Sequence, residues 1–378
     1  MASGVGWQRL MGPDVLLWLL ASDEPYTRWL VLTAILDRPA DDKDVAQAHD
    51  DVLEDAGVRN LSLWLTDWEQ PATLSGHESP AFAPTLLDLL ARMGVRGGDL
   101  PVIDETLAAM LRHTDSEARF ESYAVSRISR DGAWSALLCD THAITDVLVR
   151  YVRQNEPAVR ASLLRMESDL GETSLGTAWP CVPSLGFRGP GRKGDPCPQV
   201  TLEALRTISR LAPELRPART LDAARTLLGI WRNRSDSKPY MFGHGVGFKT
   251  VKWPPSWYSA LTVLEAVGGY PELWRGSDAR PQERRAIAEL AACLIEYNLD
   301  SDGRVTPQSC YRGFEEFSFG QKKRPSPFAT AIVAAALHRV EDLDEEIAAV
   351  DVLALGSSRG GTGRPRPPKG RPQAASAP

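Results

Sequence analysis

The chain has 378 residues, 43% of them hydrophobic, with a formal net charge of −6 and five cysteines. That is enough apolar surface for one large core or two smaller ones, and the acidic balance argues against a protein coated in cations for nucleic acid. An odd cysteine count in so long a chain is the pattern of a reducing compartment, where thiols are buried or functional rather than paired, and this reads as cytoplasmic.

In chain order, residues 1–70 read as a helical N-terminal segment. Pro13 and Asp14 start one helix, Asp23-Glu24-Pro25 the next, and Asp41 to Glu54 form a third with Val45, Ala48 and Val52 on one face. The apolar run Val15 to Leu20 is far shorter than the roughly 20 residues a bilayer needs, so no membrane span is expected. Asp14 abuts that run and a helical pattern follows at once, which is not the layout of a signal peptide.

From residue 79 a spacing emerges. Starts of apolar helices fall at Ser79-Pro80, near Leu138, at Pro196-Cys197-Pro198, at Pro254-Pro255 and at Pro325-Ser326-Pro327, a period of about 60 residues. Proline suits a first helical turn because its missing N–H has no partner there. More charged helices, 101–113, 156–169, 218–232 and 280–297, lie between them. Helical hairpins that cannot each bury an apolar helix alone close into a ring, apolar helices inside and charged ones outside. The expected fold is therefore all-α, an α/α toroid over residues 71–350. Three long loops, 171–195, 235–253 and 300–324, each precede an inner helix and should share one mouth of the ring, where function concentrates. Residues 351–378 are expected to be a disordered basic tail, since from Gly356 onward they carry basic charge and no apolar period.

The stretch Gly186-Phe187-Arg188-Gly189-Pro190-Gly191-Arg192-Lys193-Gly194-Asp195-Pro196-Cys197-Pro198 places three cations, a carboxylate and a thiol on a loop that runs into a helix. The free N–H groups of a helix start suit an anion. Together with the proline-led helical pairs and Asp131-Gly132-Ala133-Trp134, this resembles the prenyltransferase and squalene-cyclase superfamily, over roughly residues 70 to 345, and the squalene-cyclase-like proteins of bacteria whose name describes fold and not activity. The resemblance implies an α/α toroid. It also implies that Arg188, Arg192 or Lys193, Asp195 and Cys197 stand where the protein prenyltransferase β subunit binds a diphosphate and a catalytic zinc. The helix that would carry that family's zinc histidine begins Trp253-Pro254-Pro255-Ser256-Trp257-Tyr258 and has none, leaving His244 in the preceding loop. The acidic motif of class II cyclases is not met by Asp300-Ser301-Asp302-Gly303 or by Asp41-Asp42-Lys43-Asp44, so squalene cyclisation is not expected.

Zinc takes sulfur, nitrogen and carboxylate ligands and keeps one position open in catalytic sites. Asp195, Cys197 and His244 are the candidate ligands, with Cys181 or Cys310 as a fourth; the alternative is cysteine as a small buried hydrophobe. Arg188, Arg192, Lys193, Lys249, Lys252, Arg312, Lys322, Lys323 and Arg324 all fall in the mouth loops of an acidic chain, a pattern that fits an anionic ligand or scattered surface cations. Trp253, Trp257, Tyr258 and Tyr311 could line an isoprenoid cavity or be ordinary core. Asp140 and His142, at another inner-helix start, point apart at i and i+2; one could serve as general acid or base, or both could be core polar groups. The expected function is a prenyltransferase- or terpene-cyclase-like enzyme, zinc-dependent, binding an isoprenoid diphosphate or similar anionic amphiphile. The alternatives are a non-catalytic toroid binding a phosphorylated metabolite, peptide or nucleic acid, and a metal-dependent lyase or hydrolase on a polar substrate.

Overall fold

Proline opens most of the longer helices, as the missing N–H at a first turn predicts. The computed structural model describes residues 6–71, 74–77, 79–124, 131–180, 195–239 and 242–355. Over these the chain is mostly helical. It runs α1 (Gly6–Met11), α2 (Val15–Leu20), α3 (Pro25–Ala34), α4 (Lys43–Glu54), α5 (Ala56–Ser62), α6 (Ala83–Arg92) and α7 (Pro101–Met110). A β-hairpin follows, β1 (Ser122–Ala124) with β2 (Ala133–Ser135), then α8 (Leu138–Arg150), α9 (Pro157–Asp169) and a second hairpin, β3 (Gly171–Thr173) with β4 (Gly176–Ala178). The rest is α10 (Pro198–Ser209), α11 (Thr220–Arg232), α12 (Val246–Lys249), β5 (Lys252–Trp253), α13 (Ala260–Val267), α14 (Pro281–Asn298), β6 (Ser309–Cys310), α15 (Pro327–His338) and α16 (Asp344–Ala348). No helix among the described residues is long and apolar enough to cross a membrane.

Burial separates the helices into two kinds. Eleven of the twelve residues of α10 are buried, whereas α9 buries only Val159, Ser162 and Met166, so α10 is surrounded and α9 lies at the outside. α13 and α15 are likewise enclosed almost all round. These enclosed helices touch in series: α6 packs on α8, α8 on α10, α10 on α13, α13 on α15, and α15 on α3. Four of them also have a flanking helix, with α4 on α3, α9 on α8, α11 on α10 and α14 on α13. One cavity of about 510 Å³ is lined by α3, α6, α8, α10, α13 and α15 together.

One apolar cluster runs from Trp7 and Val15 through Leu87, Leu148, Leu205 and Leu264 to Ile347, so the N-terminal helices share the core of the rest. The contact of α15 with α3 is built from Tyr26, whose ring stands edge-on to Phe328 at 5.1 Å, and from Glu24, whose carboxylate accepts the Phe328 N–H at 3.1 Å. Packing continues past residue 350, where Val352 and Leu355 lie against the core and Arg234 donates to the Leu355 carbonyl at 3.0 Å. The stretch from Gly356 onward lies outside the described residues.

One departure from expectation has a local cause. Pro254-Pro255 does not start a helix, because Trp253 is held in a parallel strand pair with Cys310; α13 begins six residues later at Ala260, where Ser259 and Thr262 cap each other reciprocally. Asp300 to Gly303 is a turn in which the Asp300 side chain accepts the N–H groups of Asp302 and Arg304, and Gly303, at a φ of 72°, lies so close to the Met11 backbone that a Cβ would not fit.

Candidate functional site

The first turn of α8 carries Cys139 and Asp140, and the loop before α6 brings His77 against them. Their ligand atoms lie within 4.8 Å of one another, the only such His, Cys, Asp or Glu group among the described residues. Asp140 is 1% exposed and organises the group. Its Oδ1 meets His77 Nδ1 at 3.1 Å and accepts from Cys139 Sγ at 3.3 Å, while Oδ2 takes a short hydrogen bond from the Ser122 hydroxyl. Ser122 is delivered by β1, and the hairpin is pinned to α8 by Thr141, whose hydroxyl donates to the Phe120 carbonyl at 2.7 Å. A carboxylate in a first helical turn also faces the positive end of the helix dipole.

Aromatic rings lead away from the cluster. Trp257, 41% exposed, stands stacked between His77 at 6.1 Å and Phe242 at 6.4 Å, with interplanar angles of 17° and 15°. Phe242 then meets Tyr258 edge-on at 5.5 Å, and the Tyr258 hydroxyl is 2.9 Å from His244 Nε2. His244 is packed among Trp231, Phe248 and Tyr258, and burial lowers its pKa to about 4, keeping it neutral. The path therefore runs from a polar cluster along a half-open aromatic face to a buried neutral imidazole.

Of the expected residues, the structure thus unites Asp140, Trp257, Tyr258 and His244 along one path. It does not gather Asp195, Cys197 and His244 as metal ligands. His244 is spent on Tyr258, Cys197 is buried at the start of α10 with its N–H on the Trp179 carbonyl at 3.0 Å, and Asp195 accepts from Ser174 at 3.3 Å. Cys310 donates to the Phe319 carbonyl at 3.4 Å and burial raises its thiol pKa, which disfavours the thiolate a metal needs. His142 lies between α8 and α10, its Nδ1 3.1 Å from the Val200 carbonyl and its ring edge-on to Trp179; burial lowers it to about 4, and it is a packing residue rather than an acid or base at the cluster. Cys181, Arg188, Arg192 and Lys193 lie outside the described residues.

Loops 235–253 and 300–324 do meet, through the β5 to β6 pairing and through the Lys252 ammonium 3.7 Å above the Tyr311 ring. Trp253 is fully buried in that junction and Tyr311 accepts from Ser256 at 3.4 Å. Lys249 is buried with its ammonium 5.0 Å from the Tyr297 ring, so it is a packing cation rather than an open ligand for an anion. Arg312, Lys322, Lys323 and Arg324 are exposed. His77, Cys139 and Ser122 escaped the sequence reading, because three segments that no short motif spans come together only in the fold. The one local signal was Cys139 beside Asp140 at a helix start.

Whether the cluster suits zinc can be tested on its own spacing. Tetrahedral zinc sets nitrogen and oxygen ligands about 3.4 Å apart and sulfur and oxygen about 3.6 Å apart. The observed 3.1 and 3.3 Å differ from these by a small outward shift of each side chain. Ser122 on the second carboxylate oxygen is the kind of outer hydrogen bond that fixes a ligand carboxylate. The donor types are ones zinc takes, and the His77 to Cys139 separation is within 4.8 Å. Comparison with protein-family models, with curated proteins and with solved structures found no match.

Proposed function

We propose that this chain is a metal-dependent enzyme on an α/α toroid, with zinc held by His77, Cys139 and Asp140 and an amphiphilic substrate whose apolar part lies along Trp257 and Phe242. The observation that carries this reading is the convergence of one imidazole, one thiol and one carboxylate at the start of a buried helix, beside an aromatic face left partly open. A ring is supported by the serial packing from α6 through α8, α10, α13 and α15 to α3 and by the cavity that all six helices line. The chemistry is of the transferase kind that the resemblance implies, with an isoprenoid diphosphate as the leading substrate class, and the cytoplasm, where cysteines stay reduced, is the fitting compartment.

Zinc bound here would act as a Lewis acid and hold a substrate nucleophile in its deprotonated form. The chain's own residues do the remainder. Asp140 is oriented by Ser122, His77 is held flat by the Trp257 ring, and the first turn of α8 lends its free N–H groups to the negative charge of the ligands. Trp257 and Phe242 offer π-faces to an isoprenoid chain and to positive charge developing on it.

Elemental analysis of dialysed protein is expected to find about one zinc per chain, lost in His77→Ala and Cys139→Ser while far-UV circular dichroism stays unchanged. Wild-type protein that holds no stoichiometric metal and takes up none on titration would end the metal reading. Release of inorganic diphosphate from an allylic diphosphate with a thiol acceptor tests the substrate class separately: zinc without release leaves the metal and removes prenyl transfer.

A further inference from the structure

Ten residues along α8 from Asp140, about 15 Å at helical rise, the same helix ends in Arg150 at the cavity shared by the six enclosed helices. One wall of this cavity is apolar, with Trp29 and Leu30 from α3 and Ile332 from α15; the other carries Arg92, Arg150, Arg206 and Arg210, and Arg339 stands at its edge. A neighbouring cavity of about 730 Å³ shares Trp29, Arg150 and Arg210 and adds Arg96 and Arg153. Seven guanidinium groups thus line the pair, against the carboxylates of Glu265 and Asp104, on a chain whose net charge is negative.

Most of these arginines are engaged: Arg210 holds Asp146 through Nε at 2.9 Å and Nη2 at 3.5 Å, and Arg153 holds Asp104 at 2.7 Å. Arg92 spans Asp88 at 2.7 Å and both Glu265 oxygens, and Arg206 sits between Asp88 at 2.9 Å, Asp146 at 3.3 Å and Glu203 at 3.5 Å. Others are not. Arg150 reaches Asp88 with Nη1 alone, at 2.8 Å, and burial lowers its pKa to about 10, the mark of a cation short of negative charge. Arg96 and Arg339 make no ion pair with a described residue. Converging helix C-termini bring carbonyl charge to this end, and Arg339 answers it by donating to the Glu265 carbonyl at 3.2 Å. That accounts for cations at helix ends, but not for open volume between under-paired guanidinium groups and an indole.

We infer that the paired cavities bind a small phosphate monoester with an aromatic or aliphatic body, its phosphate between Arg150 and Arg210 with Arg96 and Arg339 to either side, and its body on Trp29, Leu30 and Ile332. Guanidinium forks match phosphate oxygens in pairs, several under-paired forks suit a dianion better than a carboxylate, and the volume is of the size that holds a metabolite. The inference is independent of zinc at the His77 cluster.

Calorimetric titration of the full chain with phenyl phosphate, inorganic phosphate and phenol tests it. Phenyl phosphate is expected to bind saturably, Arg96→Ala and Arg339→Ala each to weaken it about tenfold, and inorganic phosphate to bind about tenfold more weakly than the ester. His77→Ala should bind as wild type does. Neither arginine is ion-paired with a described residue, and Glu265, which lies near Arg339, keeps its pair with Arg92 in both variants; thermal melts check that both fold. Absence of saturable phenyl phosphate binding to folded protein, equal affinity for inorganic phosphate, or two arginine variants that bind like wild type would each overturn the proposal.

Discussion

Glu203 is 7% exposed, and burial raises its carboxyl pKa to about 7 from the usual 4.5, the nearby Asp146 and Asp88 adding to the rise and Arg206 opposing it. Gln199 donates to it at 2.7 Å, a bond that either protonation state accepts. The folded chain holds this proton more tightly than the unfolded chain, so its contribution to stability falls as pH rises from about 4.5 to about 7 and stays low above. His142 and His244 act in the opposite sense. Both are held neutral with pKa values near 4, so the stability they lend is present above their ordinary pKa and is lost as pH falls from about 6.5 to about 4. The raw pH profile therefore mixes opposing slopes, and a difference between variants isolates one. Glu203→Gln is expected to gain on wild type by roughly 3 kcal/mol between pH 4.5 and pH 8 in urea unfolding, at about 1.4 kcal/mol per pKa unit. A difference that does not change over that interval would show that Glu203 ionises as an ordinary carboxyl.

At the scale of elements, the enclosed helices owe their placement to their starts. Ser326 accepts the Ala329 N–H at 3.1 Å and meets Ser318 at 2.6 Å, which ties the α15 start to the loop before it. α13 has no proline in its first turn and relies on the box between Ser259 and Thr262, with contacts of 2.9 and 3.3 Å. The helix is only eight residues long and nearly all apolar, so nothing else in its first turn satisfies those N–H groups. Ser259→Ala is expected to lower stability by about 1 kcal/mol, read as a shift of the urea midpoint with unchanged slope. A changed slope would mean that the cap also shapes the unfolded chain.

Across the whole molecule, Arg92 on α6 and Glu265 on α13 pair over 173 residues of sequence, inside the network that joins Asp88, Asp146, Glu203, Arg206 and Arg210. Apart from the exposed Arg210, burial penalises these charges, and their mutual attraction offsets that penalty only while the set is complete. Both Asp88 and Glu265 are held below the usual carboxylate range by the surrounding arginines, against burial that would raise them. Arg92→Met alone is expected to cost about 3 to 5 kcal/mol, because Glu265 is left uncompensated, and the double variant Arg92→Met with Glu265→Met should recover part of that loss. A double variant destabilised by the sum of Arg92→Met and Glu265→Met alone would show the two side chains to be independent.

Helix identity was local information. The flanking helices expected at 101–113, 156–169, 218–232 and 280–297 are found at Pro101–Met110, Pro157–Asp169, Thr220–Arg232 and Pro281–Asn298, since apolar period and first-turn proline act within a few residues. Asp88 and Arg92, four residues apart on α6, form a local edge of the buried network, but Arg150 passes over Asp146, four residues before it, and reaches Asp88 on α6. What the chain could not announce is which distant groups meet. His77, Ser122 and Cys139 reach Asp140 from a loop, a hairpin and a helix start, while the ligand-like spacing of Asp195 and Cys197 does not bring in His244. Period and capping are set by bonds between near neighbours, whereas a site of this kind depends on how enclosed helices pack side by side, and that is settled only by the burial of the whole core.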